Sequence, residues 1–196
     1  ELARTPLEVL GRALGEQHAR DLRELALGHD ERPVTPYEPP RSISHEETFD
    51  VDLDDAEDLL RELLALSHRV AARLRKEGYR ARTVSLKVRL ANFTTLTRSR
   101  TLSAPTDVGA EIQAVVAELY RGLPGARRRV RLLGVAATGL VPAGEEQLAL
   151  LRSERWGDVE RAMDRIERRF GRGSAVPASL LGRRSRAREP HRPSGP

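Results

Sequence analysis

The strongest constraint on this chain is a hydrophobic period that keeps switching between residues 41 and 140. Ser42 to Phe49 alternates, with Ile43 and Phe49 on one side and Ser42, Ser44 and Thr48 on the other, as a half-buried strand does. From Asp54 to Glu77 the period becomes helical, and Leu59, Leu60, Leu63, Leu66, Val70 and Leu74 form one stripe. Asp54 with Glu57 predicts a capping box at its start, and Gly78 a stop at its end. Val84, Leu86, Val88 and Leu90 then alternate with Thr83, Ser85, Lys87 and Arg89. The Thr-rich stretch Phe93 to Leu102 reads as the hairpin partner, turning near Ala91 and Asn92. Asp107 to Leu123 is a second helix, with Ile112, Val115, Val116 and Leu119 inward, and Arg129 to Ala136 is a last strand. This order, β-α-β-β-α-β, predicts an α+β domain with two helices on one face of a four-stranded sheet.

The flanks are of other kinds. Residues 1–32 are helical and mildly acidic, with a helix expected over 7–27 that Gly11 and Gly15 weaken and Gly28 ends. Residues 33–40 hold four prolines, which stop any helix and favour an extended tether. Residues 141–153 read as a loop, and 154–181 as an amphipathic helix plus an extension, with Trp156, Val159, Met163, Ile166 and Phe170 on one face. Residues 182–196 are Arg, Pro, Ser and Gly in composition and read as disordered. The lack of cysteine excludes disulfides, thiolate zinc sites and a Cys nucleophile, and it agrees with a reducing cytoplasm, the expected location. No apolar run approaches the ~20 residues of a membrane-spanning helix, so no membrane partner is expected. The first residue is not Met, so the sequence looks like a piece of something longer.

Net charge alone says little here. Residues 172–196 hold six Arg and one Glu, a surplus equal to the whole net charge of +5, while residues 1–171 hold 28 charges of each sign. The distribution is more informative. Tyr79 to Pro105 has six basic residues and no acid, Arg121 to Arg131 five Arg and no acid, and Glu46 to Asp58 eight acids. One sheet face thus displays Thr83, Ser85, Lys87 and Arg89 from the second strand, Arg129 and Arg131 from the last, and Ser42 and Ser44 from the first. Cations neutralise phosphate and hydroxyls donate to it, so this mix suits a nucleic-acid backbone. An ordinary solvated sheet face has the same composition, and the residues alone leave both readings open.

Signs of catalysis are few. The run Asp50, Asp52, Asp54, Asp55 reads as a metal cluster or, more simply, as acids gathered at a helix start, where the macrodipole favours them. His18, His29, His45, His68 and His191 show no ligand spacing. A Gly-rich phosphate loop and a nucleophile elbow are absent from the sequence. No catalytic or metal-binding residue is assigned.

The string Arg41-Ser-Ile-Ser-His-Glu-Glu-Thr-Phe49 resembles the K-S-I-S-x-E-x-T-F start of the little finger of Y-family translesion DNA polymerases, of the bacterial DNA polymerase IV type. Colinear likenesses follow. Gly78 to Arg89 resembles the second strand, Phe93-Thr-Thr-Leu-Thr-Arg-Ser-Arg-Thr-Leu102 the F-x-T-x-T-R-S-x-T-L segment, Pro105-Thr-Asp107 the start of the second helix, and Val130 to Val135 the last strand. Leu10 to Val34 resembles the end of the thumb and the tether. The resemblance spans residues 5–140.

It implies that the face grips template-primer duplex by its backbone. The positions carried over are Arg41, Ser42, Ser44, Lys87, Arg89, Thr97, Arg98, Ser99, Thr101 and Arg131. A strict period of two cannot turn both Arg98 and Ser99 to one face. Gln147-Leu-Ala-Leu-Leu151 resembles the peptide that docks such polymerases on the sliding clamp, Gln147 in a polar site and Leu148, Leu150 and Leu151 in an apolar groove. The family's Mg2+-binding palm lies upstream in a full-length polymerase, so this chain is expected to bind DNA as a monomer, to hold no cofactor, and not to polymerise alone. Two other readings compete. One is a stand-alone DNA-binding or clamp-adaptor protein. The other is a ferredoxin-like module for RNA or protein, which calls for stacking aromatics that the face lacks.

Overall fold

The computed structural model describes residues 2–33, 39–124, 129–144, 154–171 and 173–181. They fall into two compact units, Glu1–Pro39 and Pro40–Pro196. In the first, helix α1 (Leu7–Leu14) ends at Gly15, whose φ of 82° leaves helical space, and α2 (Glu16–Leu27) starts immediately after it. The single helix expected over 7–27 is therefore two. Gly28 closes α2 in the left-handed region: its N–H reaches the Leu25 carbonyl (3.1 Å) and that of His29 the Glu24 carbonyl (2.9 Å), a Schellman stop.

The second unit holds β1 (Ser42–Leu53), α3 (Ala56–Glu77), β2 (Tyr79–Leu90), β3 (Thr95–Thr106), α4 (Gly109–Arg121), β4 (Val130–Pro142) and α5 (Glu154–Phe170). The first six of these follow the expected β-α-β-β-α-β order. The strands form one antiparallel sheet in the order β1-β4-β2-β3, so β4 threads between the two strands that α3 connects. α3 and α4 cover one face. Leu59, Leu63, Leu66, Val70 and Leu74 of α3 and Ile112 and Val116 of α4 are fully buried against Ile43, Val84, Leu86, Val88, Leu133 and Val135. Each such Leu or Val contributes about 1.5–3 kcal/mol by leaving water.

Two local expectations are corrected. The N-cap of α3 is Asp55, whose carboxylate accepts the Asp58 N–H at 2.9 Å; the expected Asp54–Glu57 box is one residue out of phase. The β2–β3 turn takes in Phe93, which the Thr-rich pattern places in the strand; the strand itself starts at Thr95. Phe93 has φ 63°, the Leu90 N–H donates to the Thr94 carbonyl (2.9 Å), and Asn92 Oδ1 accepts the Thr94 N–H (3.1 Å).

Helix α5 docks on the helical side through its polar residues. Its apolar stripe stays largely in water: Trp156 is 58% exposed, Phe170 69%, and Val159 and Ile166 are also exposed. Polar contacts come from Glu160 and Asp164 instead. Arg75 donates to both Asp164 oxygens (2.6 and 2.9 Å), to Glu160 Oε2 (2.6 Å) and to the Asp107 carbonyl (2.7 Å). Glu160, 1% exposed, accepts the N–H groups of Gly109 (2.8 Å) and Ala110 (3.1 Å). Val108, at the N-cap of α4, offers no side-chain acceptor, so a carboxylate from α5 caps α4. Among the described residues, no helix is long and apolar enough to cross a membrane.

Candidate nucleic-acid interface

Burial of the α3 and α4 stripes fixes which side of the sheet stays open, and strand pairing then fixes which residues share it. Residues directly opposite one another in an antiparallel pair lie on the same face. Across β1, β4, β2 and β3 the open face carries four rows. They run Ser42, Thr138, Thr83, Thr101; then Ser44, Ala136, Ser85, Ser99; then Glu46, Gly134, Lys87, Thr97; then Thr48, Leu132, Arg89, Thr95. Ten of these sixteen positions are Ser or Thr. That density makes the face a field of small hydroxyls with two cations set in it, on a shallow floor formed by Gly134 and Ala136 of β4.

The side chains engage one another across the strands. The Thr83 and Thr101 hydroxyls lie 3.1 Å apart. Arg89 Nε donates to Thr95 Oγ1 at 3.0 Å. Lys87 Nζ donates to both oxygens of Glu46, each at 3.0 Å. Ser42, Ser44, Thr97, Ser99 and Thr101 are exposed, and Thr83, Ser85, Lys87 and Arg89 half-buried.

The expected residues therefore divide. Ser42, Ser44, Thr83, Ser85, Lys87, Arg89, Thr97, Ser99 and Thr101 share the open face. Arg98 does not: it stands opposite Leu86, in the row facing the helices, and its Nη1 donates to the Thr97 carbonyl at 2.9 Å. Its neighbour Arg100 pairs with Glu118 of α4, which fixes the strand phase left open in the sequence. Arg129 precedes β4; it is exposed, and its carbonyl accepts the Ala91 N–H at 2.9 Å. Arg131 is a bulged residue: Arg89 faces Leu132 and Leu90 faces Val130, which leaves it without an opposite number in β2. Its guanidinium lies 5.1 Å from the Phe93 ring centroid and 3.8 Å from Asp52 Oδ1. Arg41 is exposed just before β1. Gln147, Leu148, Leu150 and Leu151 lie outside the described residues, as does the segment 182–196.

Sequence reasoning missed Glu46. In the sequence it belongs to the acidic run before α3, yet its parity matches Ser42 and Ser44, and that parity is the available signal. On the opposite side of the domain, burial pushes the His68 imidazole below its ordinary value, against the pull of Glu160 at 3.7 Å. Burial also works against the Arg75 cation, but Asp164 and Glu160 outweigh it and hold its pKa above the ordinary value. Among the described residues, no group of three or more His, Asp or Glu converges as a metal site.

The family model for the impB/mucB/samB family C-terminal domain matches residues 40–150, which takes in the whole sheet. DNA polymerase IV of Desulfatibacillum aliphaticivorans is 41% identical over 161 residues, covering 80% of this chain and 41% of that protein. DNA polymerase IV of Streptomyces coelicolor is 40% identical over 148 residues, covering 76% and 31% respectively. DNA polymerase IV of Moorella thermoacetica is 38% identical over 174 residues, covering 87% and 43%. The chain thus spans less than half the length of these curated relatives.

Proposed function

The chain belongs to the impB/mucB/samB C-terminal-domain family, homologous to the C-terminal part of Y-family DNA polymerase IV, and from that membership we propose that its open sheet face grips template-primer duplex by the phosphate backbone. One observation carries this reading: hydroxyls from all four strands share a face with Lys87 and Arg89. Hydroxyls and cations hold phosphate without reading bases, which suits a surface that must accept any sequence. The face has no aromatic side chain in its four rows, which disfavours base stacking. In the proposed division of labour this part holds DNA for a translesion polymerase, and the nucleotidyl-transfer step belongs to the palm of the whole protein.

Binding of this kind is electrostatic. The logarithm of affinity for a labelled duplex is expected to fall linearly with the logarithm of salt, by about 0.9 per phosphate neutralised. The double variant K87A/R89A should bind more weakly on every duplex sequence and show a shallower slope. A wild-type chain that fails to bind duplex even at low salt would end the proposal.

We also propose that Gln147, Leu148, Leu150 and Leu151 dock on a sliding clamp, on the strength of the motif and its position after β4. The double variant Q147A/L150A should lose capture by the clamp and keep duplex affinity. Undiminished capture would refute the assignment.

A further inference from the structure

We propose that Glu46 competes with DNA phosphate for Lys87, so that β1 sets how tightly the open face grips duplex. The inference rests on the DNA-binding reading above. Glu46 and Lys87 sit in one row on strands separated by β4, and Gly134 lies between them. Adjacent strands are about 4.8 Å apart, so a pair that skips a strand must bridge roughly 10 Å above the intervening residue. Gly134 leaves that path clear: a Cβ there would lie 2.9 Å from Glu46 Cγ and 3.3 Å from Cδ. The glycine thus lets a carboxylate lie across β4 and take two donors of the Lys87 ammonium, each at 3.0 Å.

A DNA phosphate needs the same donors. To reach Lys87 it must displace the Glu46 carboxylate or approach an ammonium already neutralised. In either case the lysine adds little to the phosphate charge that the face neutralises. Arg89, one row away, spends its Nε on the neutral Thr95 hydroxyl and keeps its charge for DNA. Arg131 has the same kind of neighbour as Lys87, Asp52 at 3.8 Å, again from β1. The strand that brings Ser42 and Ser44 to the face therefore also brings the acids that hold its cations in check.

The test is duplex titration of the full chain over a range of salt. E46Q keeps the side-chain shape and removes the charge. It should bind on the order of tenfold more tightly near about 0.1 M salt, with a slope steeper by about 0.9. G134A, whose methyl group displaces the Glu46 side chain, should move both quantities in the same direction and decides the matter if E46Q does not fold. In a K87A background the gain from E46Q should vanish. Unchanged or weaker binding by E46Q, or a gain that survives K87A, overturns the proposal. A wild type that does not bind duplex at all removes the DNA reading and this inference with it.

Discussion

Single residues decide where elements start and which way they face. Asp54 and Asp55 are adjacent carboxylates at the start of α3, yet only Asp55 accepts the Asp58 N–H. Replacing an N-cap Asp by Ala typically costs about 1 kcal/mol, whereas a surface substitution outside such a contact stays within about 0.5 kcal/mol. D55A should therefore lower the urea midpoint measurably and D54A should not; equal effects would show that the cap is shared. Sequence periodicity located this helix to within two residues but could not choose between neighbouring acids. That choice depends on the backbone angles of one residue, and Asp55 is the extended one (φ −78°, ψ 127°). Arg98 teaches the same lesson. Its neighbours on both sides are hydroxyl residues, so no local pattern says which side of the edge strand lies on the open face. The Arg100–Glu118 contact and the pairing with Leu86 decide it.

At the scale of elements, α5 is the piece whose packing the sequence least foretold. Its apolar residues share one face, yet it docks through Glu160 and Asp164 on Arg75, with Glu160 capping α4. His68 sits against this contact, close enough that a Cβ on Gly109 would lie 2.8 Å from its Nδ1 and 3.1 Å from Glu160 Oε1. Burial holds the folded-state pKa of His68 below its ordinary 6.5, so the unfolded state binds the proton more readily. Stability gained from this site is present above pH 6.5 and is lost as pH falls through the lower folded value. Thermal unfolding followed across that window should show a declining midpoint, and H68N should flatten the decline. A slope that persists in H68N would place its origin elsewhere.

For the whole molecule, charge matters by where it is placed. Residues 182–196 hold five Arg and one Glu, so their removal takes the net charge from +5 to +1. If the open face is the grip, the truncated chain should still bind duplex, with a shallower salt slope than the full chain; complete loss of binding would assign the grip to the tail. The sequence by itself determined the element order, the two helical stripes and the parity of β1 and β2. Those follow from local periodicities, 3.6 and 2, that any short window displays. It also marked Ser42, Ser44, Thr83, Ser85, Lys87 and Arg89 as one set, because parity within a strand is a local property. Only the tertiary structure decided that β4 lies between β1 and β2, that Gly134 opens a path from Glu46 to Lys87, and that Arg75 meets Asp164 from 89 positions away. Register and long-range ion pairs depend on which strands and helices become neighbours, and no short window of sequence contains that information.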